Sequence, residues 1–158
     1  MADIYRAPEY YSNDGRLKIF LAGSIEMGVA ENWQEKIEIA LSEMNVVILN
    51  PRRLNWDSSW EQTIENPKFK EQVEWELKGL EDSDIIIIYF DPNTKSPITL
   101  LELGIHHNSN KLIVCCPEGF WRKGNVDVVC NKYSITSVQS LESLIEQLKS
   151  TINERKEN

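Results

Sequence analysis

Apolar and polar positions along the chain follow two periods, and the two periods alternate. Residues 17–22, Leu-Lys-Ile-Phe-Leu-Ala, form a short apolar run that ends at Gly23-Ser24. Helical spacing follows over residues 29–44, where Trp33, Ile37, Ala40, Leu41 and Met44 fall on one stripe. Residues 46–49, Val-Val-Ile-Leu, are a second buried run, closed by Asn50-Pro51. Residues 68–81 return to helical spacing with Val73, Leu77 and Leu80 inward. Residues 84–90, Asp-Ile-Ile-Ile-Ile-Tyr-Phe, are apolar on both faces, as a central parallel strand must be. Ser96-Pro97 opens a helix that runs to about His107, with serine suited to the N-cap and proline to the first helical position. Residues 111–116 read as a fourth strand and 133–136 as a short fifth. Residues 140–148 form a closing helix with Leu141, Leu144, Ile145 and Leu148 on one side.

Repeated strand–helix units predict an α/β three-layer sandwich, a five-stranded and mostly parallel sheet with helices on both faces. With 158 residues, 41% of them hydrophobic, the chain can fill one core and not two. Residues 17–150 form that domain. Residues 1–16 read as an arm whose Tyr5, Tyr10 and Tyr11 pack on the domain or on a neighbouring subunit. Residues 151–158 read as a charged tail that frays. In parallel sheets, ligands bind at the carboxyl ends of the strands, near the point where the strand order reverses.

Charge narrows the partners. A net charge of -8 argues against duplex nucleic acid, which is bound through Lys and Arg on phosphates. It leaves room for one small anion held by local donors. No apolar run approaches the roughly 18 residues of a membrane span, and the polar, aromatic N-terminus is not a secretory signal, so the reading is a cytoplasmic protein. Cys115, Cys116 and Cys130 read as buried thiols, and no metal-ligand spacing surrounds them.

The carboxyl edge holds the chemistry. Gly23-Ser24-Ile25 follows the first strand, where a glycine lets backbone N–H groups approach a ligand and the serine adds a hydroxyl. It also fits an ordinary turn, being neither a Walker loop nor a G-x-G-x-x-G fingerprint. The loop after the second strand, residues 50–60, concentrates Arg52, Arg53, Trp56, Asp57 and Trp60. The arginines can fork onto phosphate or carboxylate, or pair with Asp57 or Glu61. The tryptophans stack on a planar ligand or on the core. On the next helix Glu76 lies beside the buried stripe, with Gln72 one turn back; it is a surface charge or a carboxylate bordering the core. After the third strand, Glu102 sits in the second turn of an otherwise apolar helix, where the helix dipole favours its ionised form. His106, one turn on, either orients Glu102 or is an ordinary histidine of the fold.

At Gly23-Ser24-Ile25, at Asn50-Pro-Arg-Arg53 and above all at Pro97-Ile-Thr-Leu-Leu-Glu-Leu-Gly104, the chain resembles the nucleoside 2-deoxyribosyltransferase family over residues 17–148. That superfamily also holds nucleoside 5′-monophosphate N-glycosidases. The resemblance implies a flavodoxin-like (Rossmann-like) sheet and Glu102 as the nucleophile that attacks the anomeric carbon. An Asp-Leu-x-Gly setting on the family's preceding helix aligns with Glu76-Leu-Lys-Gly79, which makes Glu76 the acid/base on the leaving base. Two features depart from the pattern. Ile19 or Phe20 stands where many transferases carry a tyrosine, and Thr94-Lys-Ser96 stands where they carry a sugar-binding aspartate. Either Asp91 replaces that aspartate, or Ser96 and Thr99 contact the sugar or a phosphate.

The expectation is therefore cleavage or transfer of the N-glycosidic bond of a nucleoside or its 5′-monophosphate, without metal or organic cofactor. An oxocarbenium-like state needs a carboxylate at the sugar and a proton for the departing base. Gly23, Ser24, Ile25, Arg52, Arg53, Trp56, Asp57 and Trp60 would hold the substrate with Asp91, Ser96 and Thr99. A homo-oligomer is expected by analogy. The alternatives are a nucleotide-binding sensor without turnover and an N-glycosidase acting on NAD or a related dinucleotide. A serine or cysteine hydrolase is disfavoured, since no G-x-S-x-G elbow is present.

Overall fold

In the computed structural model, which describes residues 1–25, 31–53 and 59–157, eleven elements follow one another in the described residues. They are β1 (Asp3–Arg6), β2 (Lys18–Gly23), α1 (Trp33–Ala40), β3 (Val47–Asn50), α2 (Pro67–Asp82), β4 (Ile85–Tyr89), α3 (Pro97–His106), β5 (Leu112–Cys115), α4 (Lys123–Lys132), β6 (Thr136–Val138) and α5 (Leu141–Glu157). The strands form one six-stranded sheet in the order β1-β3-β2-β4-β5-β6, and every pairing is parallel. This is the expected flavodoxin-like α/β sandwich with one strand more than the sequence suggests.

The extra strand comes from the arm. Asp3–Arg6 pairs with Val47–Asn50, and Tyr11 is buried against Tyr5 and Trp75, with its hydroxyl donating to Asp82 at 2.8 Å. The arm thus packs on its own domain, while Tyr10 stays exposed. At the other end, α5 continues through residues expected to fray. Ile152 is fully buried and extends the Leu144–Leu148 stripe by one turn, which is enough to hold the helix on the sheet. A helix between β5 and β6 is also new. α4 buries only Val126 and Cys130, too short an apolar pattern to read in advance, and its arrival moves β6 to Thr136–Val138.

β4 shows why the sheet is covered on both sides. Ile86, Ile88 and Phe90 join Phe20, Leu80, Leu103, Val126 and Cys130 beneath α2, α3 and α4. Ile85, Ile87 and Tyr89 join Trp33, Ile37, Leu144 and Leu148 beneath α1 and α5. Side chains alternate across a strand, so one run of isoleucines feeds two cores, each buried side chain contributing roughly 1.5–3 kcal/mol. Cys115, Cys116 and Cys130 are free and buried, and burial pushes their thiols up to about 12, 12 and 11. Burial thus favours the neutral thiol at all three, and they pack the core.

Candidate active site

β2 and β4 are neighbours in the sheet, but the chain leaves β2 towards β3 and leaves β4 towards β5. In parallel sheets such a reversal of strand order is where ligands bind, at the carboxyl ends. Gly23 stands there at φ 147°, and a Cβ on it would lie 2.8 Å from the Trp33 ring and closer still to the Tyr89 carbonyl oxygen. Only glycine allows β2 to end this close to β4. Ser24 follows, buried, with its N–H donating to the Tyr89 carbonyl at 3.0 Å and its own carbonyl accepting from the Trp33 indole at 3.0 Å.

The Ser24 hydroxyl belongs to a cluster of three hydroxyls. It lies 2.9 Å from Thr94 Oγ1 and 2.6 Å from Ser96 Oγ, and these two are 2.7 Å apart. The Asp91 N–H donates to Ser24 Oγ at 2.9 Å, and Thr94 donates to the Asp91 carbonyl at 2.9 Å. Thr94 gives its one hydroxyl proton to the Asp91 carbonyl, so in its contacts with Ser24 and Ser96 its oxygen accepts. Ser96 does not serve as the expected side-chain cap. It occupies the N-cap of α3 at φ 46°, a left-handed conformation, and its hydroxyl turns into the cluster. Thr94, read in the sequence only as a departure from a pattern, proves central. Asp91 spends one carboxylate oxygen on the Glu31 N–H at 2.9 Å and the other on the Asn93 N–H at 2.8 Å, so it brackets two loops.

Inward positions of α3 are Thr99, Glu102 and Leu103. Glu102 is 8% exposed and accepts no hydrogen bond among the described residues. Burial, with the charge of Glu76 beside it, pushes its carboxyl up to about 8. Glu76 arrives from α2 because that helix sits at a different rotation from the expected one. Leu77, expected inward, is 42% exposed, while Gln72, Gly79 and Leu80 are buried. The cause is Gly79, where a Cβ would lie 2.7 Å from the Phe20 ring. α2 settles onto Phe20 through this missing side chain, and Glu76 comes onto the inner face, half-buried. Burial pushes Glu76 up to about 7, against the opposing pull of a hydrogen bond from Gln72 Nε2 to its Oε1 at 3.0 Å. No lysine or arginine pairs with either acid among the described residues. His106 is half-buried, makes no bond to Glu102, and is held below its ordinary range chiefly by burial.

Arg52 reaches towards α1 and Arg53 towards α2. Arg52 Nη1 bonds Gln34 Oε1 at 3.3 Å and Asn32 Oδ1 at 3.2 Å, and Gln34 in turn reaches the Ser24 carbonyl at 3.5 Å. Arg53 is buried, pairs with Glu71 at 2.7 Å, and places its guanidinium 5.5 Å from the Trp60 ring centroid. Its partner is thus Glu71 on α2 rather than Glu61. Trp56 and Asp57 lie outside the described residues, as does part of the expected helix start at residues 29 and 30. Ile25 is half-buried beside Ser24, and Thr99 is buried one turn before Glu102. A depression of about 490 Å³ between Pro8 and α2, lined by Lys70, Glu71, Glu74 and Trp75 among others, does not include Glu76 or Glu102. Among the described residues, no three His, Cys, Asp or Glu side chains converge as a metal site, and no helix is long and apolar enough to cross a membrane.

Two comparisons bear on this arrangement. A family model described as nucleoside 2-deoxyribosyltransferase like matches residues 16–120. The crystal structure of a conserved protein from Enterococcus faecalis V583 resembles the chain with a TM-score of 0.61 and 15% identity, over 86% of this chain and 99% of that one. At that identity the likeness concerns the fold. No curated protein matches the chain.

Proposed function

The chain belongs to the nucleoside 2-deoxyribosyltransferase-like family, and from that premise we propose that it cleaves or transfers the N-glycosidic bond of a nucleoside or its 5′-monophosphate. The observation that carries this reading is the pair of acids, buried Glu102 and half-buried Glu76, close enough to interact by charge and without a cationic partner among the described residues. In this reading the Glu102 carboxylate attacks the anomeric carbon. The bond from that carbon to the base nitrogen breaks, its electron pair stays on the base, and Glu76 gives the base a proton. Water or a second base then attacks the glycosyl ester, gives its proton to Glu76, and releases Glu102.

The roles need Glu102 ionised and Glu76 protonated, whereas burial raises Glu102 further than Glu76. One proton shared by the pair reconciles the two. A sugar carbon gaining positive charge at Glu102 favours its ionised form and drives that proton to Glu76. Ser24, Thr94 and Ser96, with Gly23, Ile25, Asp91 and Thr99 around them, form a polar floor for the sugar hydroxyls or a 5′-phosphate. Arg52, Arg53 and Trp60 supply charge and stacking for the substrate, and Trp56 and Asp57 share that role in this reading.

A homo-oligomer belongs to the same reading. Ile98, Leu101 and Ile105 on α3 are each more than half exposed on one stripe, with Pro97 and Gly104 beside them. That face carries no charge in a chain of net -8, so two copies can meet there without repulsion.

The test is chromatography of nucleosides and 5′-monophosphates, ribo and deoxy, incubated with the protein, with and without a second free base. Base release that disappears in Glu102→Ala supports the reading, and a requirement for the added base identifies transfer. Saturable binding with no product for any member of the panel would replace the enzyme with a sensor.

A further inference from the structure

We propose that Gln72 is the positioning residue of Glu76, and that a brace made of Arg6, Glu38 and Asn50 fixes Gln72 through the Pro51 carbonyl. The inference rests on the role given to Glu76 above, but its geometry is independent of any substrate. Gln72 Nε2 donates to the Pro51 carbonyl at 2.8 Å and to Glu76 Oε1 at 3.0 Å. The Pro51 carbonyl can only accept, so the amide is oriented: a flip would set Oε1 against it. Gln72 is 6% exposed, and its Oε1 is buried without a partner. A buried amide with an unmet acceptor is costly. An apolar side chain of the same shape would fill the space without that cost, so the two donated bonds are what this position supplies.

The Pro51 carbonyl is itself held from three elements. Asn50, at the end of β3, donates through Nδ2 to Glu38 Oε1 on α1 at 2.6 Å and accepts at Oδ1 from the Arg52 N–H at 2.9 Å. The Asn50 carbonyl accepts from the Ala7 N–H at 3.2 Å, just past β1. Arg6, on β1, closes the brace with an ion pair to Glu38 Oε2 at 2.9 Å. Glu38 is buried and Arg6 partly so, which weakens solvent screening of this ion pair. The Pro51–Arg52 peptide is therefore turned towards α2, and the Pro51 carbonyl meets Gln72. Arg6 lies outside residues 16–120, so the brace adds to what the family match covers.

The charged group facing Glu76 from a neighbouring element is Glu102 on α3; Arg53 is paired with Glu71 one turn earlier on α2, and Arg6 with Glu38 beyond Pro51. Between these, the Gln72 donor is the contact that favours ionised Glu76 and holds its carboxylate in one place. Removing it raises the pH at which Glu76 titrates.

The experiment is a carbon-13 titration of the Glu76 carboxyl by NMR in a Glu102→Gln background, so that a single acid of the pair is read. Gln72→Met preserves shape and removes both donors together with the unmet acceptor, so it is expected to fold. Gln72→Asn keeps an amide but falls one methylene short of both acceptors, and serves as the second variant. Both should raise the Glu76 midpoint by about one pH unit, the size expected for loss of one hydrogen bond to a charged group. Asn50→Ala should raise it by less, through the freed Pro51 carbonyl. A Glu76 midpoint unmoved in either folded Gln72 variant overturns the proposal. Because the titration needs no substrate, it stands apart from base release: no turnover with a moved midpoint refutes the enzymatic reading and leaves the positioning intact.

Discussion

Replacing Glu102 by glutamine should make the protein more stable at alkaline pH while removing its proposed nucleophile. Burial and the neighbouring Glu76 raise the Glu102 carboxyl from 4.5 to about 8 in the folded chain. Below about 4.5 the group is protonated whether the chain is folded or not, and it contributes nothing to pH dependence. Between about 4.5 and about 8 the unfolded chain releases the proton and the folded chain keeps it, so stability falls as pH rises. Above about 8 the folded carboxylate is ionised and the loss is complete. At about 1.4 kcal/mol per unit the full penalty is roughly 5 kcal/mol. Relaxation and water entry reduce such penalties, leaving about 3 kcal/mol as the expected gain for the neutral glutamine at pH 9. In a chain of this size that is a rise in Tm of about 6–12 °C. Urea unfolding of both proteins at pH 4.5, 7 and 9 reads the effect. The two curves should nearly coincide at the lowest pH and separate as pH rises. A gap of the same size at all three values, or a wild type that is the more stable at pH 9, would mean that a cation compensates Glu102 and that the site is not the unpaired pocket described above.

Other substitutions test the packing, the assembly and the shared proton. Gly79→Ala should cost about 1–3 kcal/mol through its clash with Phe20, despite alanine's better helix propensity. Gly104→Ala, where no atom lies within 4 Å, should gain about 0.5–1 kcal/mol, so equal effects by thermal melting would contradict the rotation assigned to α2. Leu101→Asp together with Ile105→Asp should turn a dimer into a monomer in sedimentation velocity, and a wild type that is monomeric at tens of micromolar removes the α3 interface. The pH profile of kcat/KM should be a narrow bell between the values of about 7 and about 8 that burial gives the pair, because only the singly protonated pair is active. A profile flat from pH 6 to 9 would exclude the shared proton.

Much of this was readable in residue order, and the parts that were not share a cause. The isoleucine run of β4 and the Ser96-Pro97 helix start announce themselves locally. Glu102 stands out as a lone acid among leucines. Glu76 was harder, because Val73, Leu77 and Leu80 form a plausible inward stripe until Gly79 lets Phe20 approach and turns the helix. Thr94 joins Ser24 only because β2 and β4 pair, 70 residues apart in sequence. The Arg6–Glu38–Asn50 brace was invisible for the same reason, since it needs the arm to become β1. Local propensity carries elements; it does not carry which element lies beside which, and every polar cluster described here spans at least two.

The two acids come from different strand–helix units, α2 before β4 and α3 after it. They meet because both crossovers return on the same face of a parallel sheet, as right-handed connections require when they step in one direction. Folding could have answered the meeting with a lysine or an arginine, which would lower both carboxyls and stabilise the chain. Among the described residues neither acid has one, and the buried Arg53 nearby is paired with Glu71 instead. Among the described residues the one polar contact to the pair is the Gln72 amide, which orients Glu76 while adding no charge. A site arranged for stability alone would replace such acids with apolar side chains. A buried Glu102 and a half-buried Glu76, one of them braced and neither paired with a cation among the described residues, fit the proton exchange proposed for a breaking glycosidic bond.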